Sequence, residues 1–251
     1  MESAQTGVND VNKLSEEMML QQLPEDLQAY CESGRSVAEL AHLAKNIIQM
    51  VSGSVEIMEL GLERKQYDRV LRSWNIFEPN FIRLKKFILD LIKYTKHYPV
   101  QKTTCDFNEI LQKGIGSCER LLKHKHVTIR LHQDKAIPAA QWDAGRLEEM
   151  VMNLIIHAFD NLEIQTGVIT IRSEYLADNQ QVRLVVSDDG PALPDAIKEQ
   201  LGEPFERTRN MYGTGFDIPL AKLIVELHNG YLEISSDENT GNAVTVYLPI
   251  Q

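Results

Sequence analysis

Between Ser36 and Leu62 the apolar residues Leu40, Ala44, Ile47, Val51, Val55 and Met58 recur at steps of three and four. That spacing is met by a helix with one continuous apolar stripe, roughly 40 Å long at 1.5 Å per residue. After Gly61 the charged stretch GLERKQYD reverses the chain. A second helical pattern, about Tyr67 to His97, places Phe77, Phe81, Leu84, Ile88 and Leu91 at alternating steps of four and three, the a/d seam of a coiled coil. Two long helices joined by a short turn make an antiparallel hairpin, which by itself leaves much of both stripes in water. Pairing with a second copy into a four-helix bundle covers them, so a homodimer is expected; packing against the chain's own C-terminal half is the alternative. Pro79 falls inside the second helix, where it removes a backbone hydrogen bond and is expected to cause a kink.

His42 lies off the first stripe. Glu39, three residues back, and Asn46, four on, are its same-face neighbours, so the imidazole projects from the helix flank. A lone flank histidine is ordinarily a surface residue, and a chemical role has to come from the rest of the chain.

Pro99 ends the hairpin, and the pattern then changes. Helical stretches at Asn108–Lys123 and Gly145–Leu162 alternate with strand-like runs at Val127–Leu131, Val168–Tyr175, Val182–Ser187, Tyr231–Ser235 and Ala243–Pro249. Helices on one side and mostly antiparallel strands on the other give an α+β sandwich, with Thr104 or Asp106 capping its first helix. Three segments are therefore expected: an acidic extension over 1–35, the hairpin over 36–98 and the sandwich over 106–251. The extension carries short helical patterns at SEEMMLQQL and PEDLQAYC, and the Glu32-Ser33-Gly34 sequence reads as a break, with Ser33 or Ser36 as N-cap of the long helix.

Composition narrows the function. A net charge of -10 opposes nucleic acid and anionic lipid, so protein or small-molecule partners are expected. No run reaches the ~18 apolar residues of a membrane span, and the opening MESAQTGVND has neither the basic nor the apolar part of a signal peptide, which points to the cytoplasm. Cys31, Cys105 and Cys118, odd in number and without C-x-x-C spacing, read as reduced thiols rather than a disulfide framework or zinc site.

Four stretches of the second half fall in a telling order: NLIIHAFDN (153–161), SDDGPALP (187–194), GEPFERTR (202–209) and GTGFDIPLAKLIVELHNGYLEI (213–234). In that order and spacing the chain resembles the histidine kinases, whose catalytic domain has the Bergerat nucleotide-binding fold. AHLAKNIIQMVSG resembles the phospho-acceptor box and FIRLKKFILDLIKYTK the second helix of the dimerisation hairpin, so the likeness covers roughly residues 36–250. The resemblance implies ATP and magnesium as cofactors. It places Asp188 and Gly190 at the adenine, Gly213 and Gly215 at phosphate, and Pro191–Tyr212 as a lid with Phe205 and Arg209. Asn153 and the residue at 157 would hold magnesium, and His42 would be the phospho-acceptor with Asn46 orienting water. The physical reading runs parallel. A carboxylate at a strand end can accept a bond from an amino group, glycine amides before a helix face its positive end, and residues four apart share a helix face.

The departures cluster at the chemistry. Position 157 is His157, a poor ligand for a hard, oxygen-seeking cation. Ala192 replaces a glycine of the first glycine box, and Asp217 replaces a small residue of the second. A bare carboxylate about 5 Å from a phosphate oxygen costs on the order of 3 kcal/mol at an effective dielectric near 20. As N-cap of the helix carrying Pro219, Asp217 would still face phosphate. Leu43 stands beside the acceptor where many kinases carry an acid. The expected function is phosphoryl exchange between His42 and a response-regulator receiver domain, with ATP-dependent autophosphorylation reduced or lost. A working kinase and a non-enzymatic dimeric regulator are the rivals. The signal is expected through the first 35 residues or from a separate sensor protein.

Overall fold

The structure is a computed structural model, and it describes residues 25–96, 99–122, 126–162, 166–194, 215–237 and 240–250. It divides into two compact units, Met1–Gln49 and Met50–Gln251. The expected helix over SEEMMLQQL lies outside the described residues.

The first helix, α1, runs Glu25–Glu63 without interruption. The expected break at Glu32-Ser33-Gly34 is overturned, and neither Ser33 nor Ser36 is a cap. A single glycine costs a helix only about 1 kcal/mol, which neighbouring turns readily outweigh. In the first unit His42 and Asn46 are both exposed, while Leu40, Leu43 and Ala44 are half-buried and Ile47 is buried, as the stripe requires.

In the second unit the chain turns at Arg64–Gln66, with Lys65 at φ 55°, and continues as α2, Tyr67–Thr95. Gly61 allows the close approach at the turn, since a Cβ there would lie 2.9 Å from Val70 Cγ2. The buried Ser73 hydroxyl donates to the Ser54 carbonyl at 2.7 Å and ties the two helices one step further on. Pro79 sits within α2, and the helix continues through it.

The sandwich begins with β1 (Thr103–Cys105), α3 (Phe107–Leu122), β2 (His126–His132), β3 (Ala140–Trp142) and α4 (Ala144–Asn161). It continues with β4 (Thr166–Leu176), β5 (Gln181–Asp188), α5 (Asp217–Leu227), β6 (Tyr231–Asp237) and β7 (Gly241–Pro249). Five strands form one sheet in the order β2-β4-β5-β7-β6, with β2 parallel to β4 and the other pairs antiparallel. The short β1 and β3, too brief for a periodic signal, pair separately. As expected, Asp106 opens α3, its carboxylate accepting from Asn108 N at 2.7 Å.

One sheet face is covered. Val182, Leu184 and Val186 of β5 alternate inward with Ile169, Ile171, Val244, Val246 and Leu248, and meet Leu147, Met150, Leu154 and Ile155 of α4. Because the period of a strand is two, the alternation that buries Val182, Leu184 and Val186 also buries Asp188 at the strand's end. Cys105 and Cys118 are free thiols, the latter pushed up to about 12 by burial. No helix among the described residues is long and apolar enough to cross a membrane.

Candidate functional site

Where β5 ends beside the C-terminus of α4, the sheet's inward face turns polar. Asp188 is 4% exposed, and Gly190 follows it in a turn that only glycine fits. A Cβ at 190 would lie 2.6 Å from the Asn161 carbonyl and 2.7 Å from Asp188 Oδ1. Gly241, at φ 77°, closes the other side; a Cβ there would come within 2.0 Å of the Asp188 carbonyl. The close approach that Gly190 permits is thus to the chain's own helix α4.

The Asp188 carboxylate is met from three directions. Oδ1 accepts from Asn242 Nδ2 at 2.8 Å and from Gly190 N at 3.0 Å, and Oδ2 accepts from Asn161 Nδ2 at 3.4 Å. Burial raises its pKa above the ordinary carboxylate value, and these three donors act against the rise. Asn242 in turn accepts from Ser236 Oγ at 2.6 Å, and Leu193 N donates to that hydroxyl at 2.7 Å, so the network reaches the chain leaving the site. Sequence reasoning did not single out Asn161, although it ends the NLIIHAFDN stretch, and it missed Asn242 and Ser236, which lie far from Asp188 in sequence and carry no motif of their own.

Asn153 and His157 stand one turn apart on α4, as expected, and both are buried, at 3% and 5% exposure. Burial pushes His157 down to about 4, with the charge of Asp217 acting in the opposite direction. The ring is therefore neutral near pH 7. Asn161 Nδ2 lies 3.2 Å from His157 Nε2, and as a donor it fixes Nε2 as the acceptor and puts the ring proton on Nδ1. The lone pair a metal would need is already engaged. Asn153 Nδ2 is wholly buried with no hydrogen-bond partner, and the amide oxygen is the atom of this side chain that could ligate a cation. With its acceptor nitrogen bonded to Asn161, His157 offers magnesium no free lone pair, which leaves the Asn153 oxygen as the one oxygen ligand of this pair.

At the second glycine box, Gly215 has φ 74° and Phe216, fully buried, precedes α5. The reading of Asp217 as N-cap is overturned: the cap position belongs to Phe216, which makes no side-chain cap bond, and Asp217 is the first helical residue. Pro219 falls in the first turn, where a missing N–H costs nothing. Nor is the Asp217 charge bare. Its Oδ1 accepts from Lys86 Nζ of α2 at 2.8 Å. The repulsion expected of an isolated carboxylate is offset by this cation, which no local pattern could reveal at a separation of 131 residues. Phe205, Arg209 and Gly213 lie outside the described residues, and Ala192 is half-buried.

His228 is a further polar residue that sequence reasoning did not single out. It is 1% exposed and bonds Ile224 O through Nδ1 at 2.8 Å while Nε2 accepts from Asp143 N at 3.1 Å. Burial lowers its pKa, and the neutral ring pins the end of α5 to the start of α4.

Residues 142–251 match the family described as histidine kinase-, DNA gyrase B- and HSP90-like ATPase. Sporulation kinase A of Bacillus subtilis (strain 168) is 25% identical over 241 residues, covering 94% of this chain and 37% of its own length. The sensor histidine kinase ZraS of Escherichia coli (strain K12) is 23% identical over 221 residues, covering 86% of this chain and 45% of its own. The chain thus spans about half or less of the length of these curated relatives. Among solved structures, histidine kinase ThkA in complex with the response regulator protein TrrA superposes with a TM-score of 0.70 at 21% identity, covering 96% of this chain and 67% of that one. The catalytic domain of ThkA alone gives 0.53 at 24% identity, over 59% of this chain and 95% of that one. These likenesses establish the fold.

Proposed function

We propose that the chain is a member of the histidine kinases and that it exchanges phosphoryl groups between His42 and the aspartate of a response-regulator receiver domain, with ATP-dependent autophosphorylation reduced or lost. The observation that carries this reading is the contrast between the two ends of the chemistry. His42 is exposed on α1, whereas the His157 ring and the Asp188 carboxylate are both engaged inside the chain. In the step, an imidazole nitrogen of His42 attacks the phosphorus of an aspartyl phosphate. The N–P bond forms as the P–O bond breaks, and the carboxylate leaves with the electron pair. The reverse step returns the group to aspartate. Asn46, one turn on and also exposed, is placed in this reading to orient a water that hydrolyses the partner's phosphate. ThkA was solved with a response regulator, which supports a receiver domain as the partner class. The working form is a cytoplasmic homodimer built on the hairpin.

A second reading, a working kinase that phosphorylates His42 from ATP, is favoured by the ATPase description of the matched family. One pair of incubations separates the two, with labelled ATP and magnesium in one and a labelled phospho-receiver domain in the other. Label on His42 from the receiver alone is the expected result, and His42→Ala must abolish it. Label from ATP establishes the kinase. Label from neither source sinks both readings and leaves a non-enzymatic dimeric regulator.

A further inference from the structure

One side of α2 meets the start of α5, where Lys86, Phe87 and Tyr94 reach Phe216 and Asp217. Lys86 Nζ lies 2.8 Å from Asp217 Oδ1 and 2.8 Å from Asp90 Oδ2 of its own helix. The two carboxylates are only 5% and 7% exposed. Beside them the fully buried Phe216 ring packs between Phe87, at 5.8 Å, and Tyr94, at 5.9 Å. The left-handed Gly215 delivers Phe216 and Asp217 together at the head of the helix, so apolar and ionic contacts form side by side. Two carboxylates share one ammonium here, and that of Asp217 sits at the positive end of α5, where the helix dipole favours negative charge.

We propose that this contact is a clasp that fixes the α/β sandwich on the hairpin, with the chain's own Asp217 taking the place at the head of α5 that an anionic ligand would otherwise take. The attachment of the sandwich to α2 is then set by Lys86 and is indifferent to nucleotide. Two observations beyond the helix terminus support it. The charge stands at the position where a small residue was expected, and its cation comes from the other segment rather than from a neighbour on α5. The flanking aromatic contacts are the second, because they hold Phe216 against α2 beside an ion pair whose carboxylates are themselves buried and costly to leave without a cation. The inference does not depend on which direction the phosphoryl group moves.

Amide exchange on the full chain tests it. Lys86→Met and Asp217→Asn should each raise exchange at residues 83–94 of α2 and 216–221 of α5 at least tenfold. The double variant should open no further than Lys86→Met alone, since both changes break one interaction. Lys86→Arg should keep protection within about threefold of the wild type, because a guanidinium can bridge the same carboxylates. Adding ATP with magnesium should leave the wild-type pattern unaltered in both segments. Additive effects of the two single changes, unchanged exchange at 83–94 in either, or release of those segments by ATP in the wild type would each overturn the clasp.

Discussion

His157 carries its proton problem into the stability of the domain. An exposed histidine titrates near 6.5, whereas this one is pushed down to about 4 by burial, so between those values the unfolded chain binds a proton that the folded chain refuses. Stability from this residue is complete above about pH 6.5 and is lost as the pH falls toward 4. Between pH 6.5 and 5 the loss is about 2 kcal/mol, from 1.36 kcal/mol per unit. Urea titrations of the wild type and His157→Asn should therefore diverge as the solution is acidified, the wild type weakening more. Parallel curves would mean that the ring is not buried neutral. At this scale the sequence was partly readable. The register from Asn153 placed residue 157 on the right helix face, and the strand end placed Asp188. Asn161, one turn beyond His157 on the same helix, was within reach of that register, whereas the meeting of Asn161 and Asn242 at the Asp188 carboxylate was not readable, because only the fold brings them there.

Helices and strands were the most legible level, since burial periodicity is written locally. The five strands of the main sheet and helices α3 and α4 lie within two residues of the ranges expected from alternation and helical spacing. The misplaced start of α1 shows the converse: punctuation by Ser and Gly is a weak signal beside a long run of helix formers. Two glycines of α3 make a sharper element-scale test. Gly116 has open space where a Cβ would go, so Gly116→Ala should stabilise the chain by about 0.5–1 kcal/mol through helix propensity alone. Gly114, half a turn away, lies against α4, where a Cβ would fall 2.7 Å from Val151 Cγ1 and 3.2 Å from the Glu148 carbonyl. Gly114→Ala should destabilise by roughly 1–3 kcal/mol as the helices are forced apart. Opposite shifts in the thermal midpoint are expected, and a gain from both would show that the α3–α4 contact is looser than described.

For the whole molecule the hairpin sets the question of assembly. Phe81 is 51% and Ile88 48% exposed, while Phe77, Leu84 and Leu91 of the same seam are half-buried. Trp74, Phe77 and Phe81 form a ladder of rings 5.5 Å apart along that side. This much apolar surface on one face fits a second copy, and the homodimer of the proposed function uses it. Sedimentation of the full chain at tens of micromolar should give a dimer, and Phe81→Glu with Leu84→Lys should give a monomer with an unchanged sandwich. A wild-type monomer at that concentration would remove the bundle from the functional reading. The seam was visible in the sequence through its heptads; its partner in space could be named only as a second chain or the sandwich, because periodicity says that a face is covered and not by what.

The two tryptophans report on different parts of this arrangement. Trp142 is 1% exposed, its indole N–H donating to the Pro249 carbonyl at 3.1 Å and its ring edge-on to Phe107, whereas Trp74 is 47% exposed on the hairpin. Their fluorescence should therefore separate into a blue component that iodide cannot quench and a red one that it can. Changes in assembly would move the second without the first, and melting of the sandwich would expose the first. With no label attached, a single emission spectrum could then tell a protein that has come apart from its copy from one that has come apart from itself.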